Sequence, residues 1–153
     1  TLSGPVSGSF ALTKTGAGAV TLSGSAGHTG GTTVTDGTLL VTGTHTAGVT
    51  VSGGTLGGTG TISGSLAVPS GGTVAPGAGG PGALTAGGTT WAGGGRYNWQ
   101  LTDAAGAGGT GFDQLRVNGI LNVTATAADP FRVNRWTLSG SSPQTSGAAA
   151  NFD

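Results

Sequence analysis

Gly27–Gly43 reads GHTGGTTVTDGTLLVTG, and Thr44–Gly60, directly after it, reads THTAGVTVSGGTLGGTG. Laid over each other, the two stretches put Val34 over Val51 and Leu39 over Leu56, a step of 17 residues (51 − 34 and 56 − 39). A third copy, GTISGSLAVPSGGTVAPG from Gly60, continues the pattern with Val68 and Val74. Leu84 and Trp91 mark a fourth, looser copy. A period this short cannot hold a helical hairpin, and it is too long for a collagen triplet. It suits a β-solenoid, in which each copy is one coil and like side chains stack on like. Val34, Val51 and Val68, with Leu39, Leu56 and Val74, are the expected core ladder.

Composition points the same way. Glycine supplies 35 of 153 residues, far above its ordinary share of roughly 7%. Each interior glycine would cost a helix about 1 kcal/mol, whereas the accompanying Thr and Val suit a pleated surface. Only 7% of the chain is charged. Apolar residues recur in register, which argues against a disordered glycine-rich chain. Cysteine is absent, so neither a disulfide framework nor a thiolate metal site can form. The formal net charge is zero, with no basic cluster. That argues against nucleic acid and against an anionic membrane surface. There is no apolar run of membrane-spanning length, so no membrane insertion is expected in this segment. The chain starts at Thr1 without a signal-peptide pattern, as expected of a mature product or an excised piece.

Four stretches follow. Residues 1–9 form a short lead segment punctuated by Gly, Ser and Pro. Residues 10–95 carry the Gly/Thr-rich coils, with a turn-rich corner at Ala75–Leu84. Residues 96–139 change texture. RYNWQLTD (Arg96–Asp103) alternates Tyr97, Trp99 and Leu101 with Asn98, Gln100 and Thr102, a half-buried strand. Further strands are expected in Phe112–Gly119, Ile120–Ala127 and Pro130–Leu138. Wider aromatic-rich coils or a capping sheet are expected here, because a solenoid end must be covered or joined to something. Residues 140–153 read as a flexible tail.

LTKTGAG (Leu12–Gly18), VTLSG (Val20–Gly24), TGGTTV (Thr29–Val34) and DGTLLVTG (Asp36–Gly43) resemble the passenger-associated repeat of autotransporters, also called the autotransporter-associated β-strand repeat. LGGTGTISG (Leu56–Gly64) is similar to its usual downstream continuation. WQLTDAAGAGGTGFDQLRVNGILNVTATAADPF, from Trp99, resembles the module near the end of large secreted bacterial repeat proteins. The resemblance implies a right-handed parallel β-helix and export to the bacterial surface or beyond. It implies no activity, since the family is defined by coils and not by a site.

Candidate chemistry is sparse. Asp36 and Asp129 sit in turn contexts and Asp103 ends a strand. Asp113 lies in GGTGFDQLR (Gly108–Arg116), which fits the calcium nonapeptide G-G-x-G-x-D-x-U-x once. A single copy cannot complete a shell of about 6–8 oxygens, so Asp113 is only a weak metal candidate. His28 and His45, 17 apart (45 − 28), read as a solvent-facing histidine ladder with no third ligand. Thr33 and Thr50, and Thr38, Thr55 and Thr73, form rows that suit an exposed β-face. Such rows also admit an ice-binding reading.

No cofactor and no catalytic residue is expected. The sequence reads as a non-enzymatic extracellular rod segment of a stalk, coat or self-assembling filament. Head-to-tail association through the coil ends is the expected contact. The alternative is an adhesin or glycan-binding passenger, facing a glycan or host surface through Trp91, Tyr97, Trp99 and Trp136. A carbohydrate-active β-helix is disfavoured by the lack of paired acids.

Overall fold

The computed structural model describes residues 1–137. They fold without helix into 17 short strands. The first three are Leu12–Lys14 (β1), Ala19–Leu22 (β2) and Ser25–Ala26 (β3). The next two coils repeat that triplet as Thr32–Val34 (β4), Thr38–Val41 (β5) and Thr44–His45 (β6), then Val49–Val51 (β7), Thr55–Gly58 (β8) and Thr61–Ile62 (β9). Leu66–Val68 (β10), Thr73–Pro76 (β11) and Ala83–Ala86 (β12) follow, then Thr89–Trp91 (β13), Arg96–Leu101 (β14) and Gln114–Val117 (β15). Leu121–Val123 (β16) and Arg132–Thr137 (β17) complete the series.

Each strand pairs in parallel with its counterpart one coil away. Three sheets result, ordered β1-β4-β7-β10-β13-β16, β2-β5-β8-β11-β14-β17 and β3-β6-β9-β12-β15. The chain is therefore a three-faced β-solenoid.

Alternation within each short strand decides which side chains enter the core. Thr32–Val34, Val49–Val51 and Leu66–Val68 all bury their first and third residues and leave the middle one half-buried. Val34 faces Val51, and Leu39, Leu56 and Val74 stand in one row. These residues and Val68 are at most 1% exposed. The row from Leu39 extends back to Val20 and on to Tyr97 and Val133.

Glycine is required where the chain turns from the first sheet into the second. Gly37 and Gly54 occupy equivalent places with φ of 64° and 66°, a region that side-chain-bearing residues avoid. Gly37's carbonyl accepts the N–H of Thr55 at 2.8 Å, so the turn itself is stitched between coils.

The coils widen along the rod. The step is 17 residues from Leu39 to Leu56, 23 from Val74 to Tyr97 (97 − 74) and 36 from Tyr97 to Val133 (133 − 97). The extra length lies in the 77–82 and 102–113 loops and the 124–131 connection.

Several expectations are corrected. The lead segment is part of the solenoid: Leu2 and Val6 bridge in parallel to Leu22 and Ala26. The strand expected over Ile120–Ala127 is only Leu121–Val123. A turn ends it, in which Thr126 N–H donates to the Asp129 carbonyl and Asp129 N–H to Thr126 Oγ1. The strand expected over Phe112–Gly119 is Gln114–Val117, and the last strand starts at Arg132 rather than Pro130. Leu138 and the expected tail lie outside the described residues.

Candidate functional site

The four aromatic candidates occupy different places. Trp91 lies parallel to Phe131, with ring centroids 4.5 Å apart and planes 2° from parallel, and meets Tyr97 at 5.9 Å. Trp91 continues the valine row between Val68 and Val123. Tyr97 is buried. Trp99 is half-buried, and its indole N–H donates to the Asp113 carbonyl at 2.7 Å. These three fill the wider coils and do not form a common platform. Trp136 is 42% exposed, on β17 opposite Gln100.

Asp113 is a staple. Its carboxylate accepts the N–H of Gly82 and of Gln100, each at 2.9 Å, and so ties the starts of β12 and β15 to β14. At 2% exposure, burial pushes its pKa up to about 7, against the pull of these two donors. Both oxygens face amide hydrogens, an arrangement for holding backbone and not for coordinating a cation. Among the described residues no three His, Cys, Asp or Glu come together.

The histidines overturn the solvent-facing reading. His28 and His45 are fully buried, with ring centroids 5.0 Å apart, and Phe10 stacks on His28 at 5.4 Å. They are not in register: His45 pairs with Ala26 and Ile62, and His28 follows two residues after Ala26. Both Nε2 atoms lie 2.9 Å from Thr32 Oγ1. A hydroxyl has one hydrogen to donate. The Thr32 hydroxyl can therefore donate to at most one Nε2, and at least one of the two rings donates to its oxygen. Each Nδ1 is buried without a hydrogen-bond partner.

Lys14 was not singled out by its sequence context. It stands opposite Val34, at the head of the valine row. Its Nζ donates to the carbonyls of Thr15, Gly16 and Asp36, at 2.9, 2.5 and 3.1 Å, using all three of its hydrogens. The signal in the sequence is that this is the chain's one lysine and that LTK aligns with TTV.

The second sheet carries a groove on its outer face. Leu40, Gly57 and Ala75 stand in register along its floor, and Asn98 and Asn134 continue the sheet beside them. A cavity of about 250 Å³ is lined by these residues up to Asn98, with Thr38, Thr55, Gln100 and the Pro76–Gly79 loop. A second, of about 110 Å³, lies between Ala75, Asn98, Gln100 and Trp136. The amides of RYNWQL and the N-x-W of RVNRWT were the signal for this face.

The two ends of the rod differ. The last strands of the three sheets, β15, β16 and β17, have no partner on their outer edge among the described residues. Ile120, Leu121, Val123 and Val133 are 81, 44, 55 and 55% exposed there. The other end is partly closed by the Leu2 and Val6 bridges, Phe10 and Lys14.

Parallel coils of this length, stacked on a glycine-turned valine and leucine core, define a three-faced β-solenoid. Residues 12–41, which run from the start of β1 to the end of β5, match the family model described as passenger-associated-transport-repeat, a repeat of autotransporter passengers. No curated protein and no solved structure gives a significant match.

Proposed function

We propose that this chain is a non-enzymatic rod segment of an exported bacterial protein, displayed at the cell surface or released from it. The observation that carries the reading is the unbroken parallel ladder from β1 to β17, three sheets wide, with its strand edges unpaired at the β15–β17 end among the described residues. Order along such a rod comes from coil-on-coil hydrogen bonds and the apolar rows, and needs no cofactor. The acids support a structural reading. Asp36 accepts the N–H of Gly37 and Asp103 that of Ala105, while Asp113 binds two amides. The passenger-type repeat supports export.

Open strands and exposed apolar side chains at one end favour pairing with a further coil. A second copy meeting that end with its Leu2–Phe10 end makes a heterologous contact, which propagates as an open filament. Negative-stain electron microscopy over a range of concentrations tests this. Fibres that lengthen with concentration are expected. Single short rods at every concentration would remove the filament and leave a stalk or coat segment.

A further inference from the structure

We infer that the groove on the outer face of the second sheet binds a neutral oligosaccharide lying along the rod axis, with one ring of the chain against Trp136. This goes beyond the rod reading and does not depend on it. The lining carries no charge: Thr38, Thr55, Asn98 and Gln100 supply hydroxyls and amides, and Leu40, Gly57, Ala75 and Pro76 supply an apolar floor. Side-chain amides and hydroxyls both donate and accept, as sugar hydroxyls do. The side chains of Thr38, Thr55 and Gln100 make no hydrogen bond among the described residues, so their polar atoms are available to a ligand. Asn134 Nδ2 donates to Asn98 Oδ1 at 2.9 Å, which orients the Asn98 amide at the junction of the two cavities.

Gly57 and Ala75 keep the floor low where a larger residue would fill it, and the Gly77–Gly79 loop walls one side. The two cavities share Ala75, Asn98 and Gln100, so the trough continues to the exposed indole of Trp136. An aromatic face beside polar groups is the usual partner of a pyranose ring, whose axial C–H face is apolar. Neighbouring strands repeat at about 4.8 Å, close to the length of one sugar residue in an extended chain. Successive rungs can thus meet successive rings.

Other occupants fit less well. A peptide adding as a strand needs a sheet edge, and this is a sheet face whose backbone groups are bonded between coils. Ice binding needs a flat, regular hydroxyl array, and here Leu40, Asn98 and Trp136 interrupt it. Arg96 and Arg132 pair with each other on the same face, outside both cavities. They would favour an acidic sugar if the ligand reached them, so the test includes one.

The test is titration calorimetry of the full chain, with tryptophan fluorescence in parallel. The probes are cellohexaose, maltohexaose and chitohexaose as neutral chains and an oligogalacturonate as the acidic one. Saturable binding of at least one neutral chain is expected. Trp136→Ala and Gln100→Ala should each weaken it about tenfold, and Ala75→Phe should abolish it. Thr85→Ala, on another sheet, should leave it unchanged. Circular dichroism establishes that each variant keeps its β signal; Gln100→Ala and Trp136→Ala change exposed or half-buried positions, so they retain the test if Ala75→Phe misfolds. Absence of binding to every neutral chain overturns the inference. So does binding confined to the galacturonate, or neutral binding that survives the groove substitutions.

Discussion

At Thr32 a single hydroxyl serves two buried imidazoles, and the consequences can be measured. Thr32→Val removes that partner from both His28 and His45 and leaves two ring nitrogens without hydrogen bonds. Stability should fall by about 2–3 kcal/mol, read by denaturant titration. The titration of His45 and Asp113 gives a second expectation. Burial first, and then His28, hold His45 down from 6.5 to about 4, so the folded protein binds fewer protons there than the unfolded chain. Its contribution is present above 6.5 and is lost as pH falls towards 4. Burial raises Asp113 from 3.8 to about 7, the opposite case. Its contribution is largest below 3.8 and is lost as pH rises towards 7. Each slope is at most about 1.4 kcal/mol per pH unit. Between about 4 and 6.5 the two oppose each other, and the stability of the parent protein should be nearly flat there. His45→Leu should leave stability falling with pH, and Asp113→Asn should leave it rising. Melting temperatures across pH 4–7 distinguish these outcomes.

The element scale is set by corners as much as by strands. Gly43 and Gly60 hold equivalent places where the second sheet turns towards the third, and their amides donate to the carbonyls of Leu22 and Val41. A Cβ on Gly43 would run into the carbonyl of Gly24, and one on Gly60 into that of Gly43. Gly43→Ala should therefore cost about 1–3 kcal/mol, whereas Gly27→Ala, where a Cβ meets nothing within 4 Å, should change stability by less than about 0.5 kcal/mol. Leu56→Ala, in the middle of the longest apolar row, should cost about 2–5 kcal/mol because its neighbours cannot collapse without breaking register. Thermal or chemical unfolding of the three variants checks the ranking.

Over the whole molecule, each coil rests only on its neighbours. Deleting a complete coil, Thr35–Val51, joins Val34 to Ser52 and leaves every row in register, one rung shorter. The shortened protein should keep its β-type circular dichroism with a lower melting temperature. Deleting Thr35–Thr42, half a coil, would point core residues outward and should prevent folding. Comparable spectra from both deletions would contradict a stacked-coil architecture.

Much of this was legible in the sequence because a 17-residue step repeats valine and leucine at fixed places, and one coil dictates the next. Val34, Val51, Leu39 and Leu56 could be placed face to face from the letters alone. The same periodicity misled at His28 and His45: equal spacing suggested equal positions, yet the first coil is longer, with Ala26 opposite His45. After Gly77 the step grows to 23 and then 36 residues, and no repeat remains to align. Sequence by itself thus determined the solenoid, its core rows and its glycine turns, since these follow from local alternation repeated coil by coil. Only the tertiary structure decided that Asp113 is a backbone staple, that two histidines share Thr32, and that Asn98, Gln100 and Trp136 line one groove. Those arrangements join residues from coils of unequal length, and only the packed loops set which of them meet.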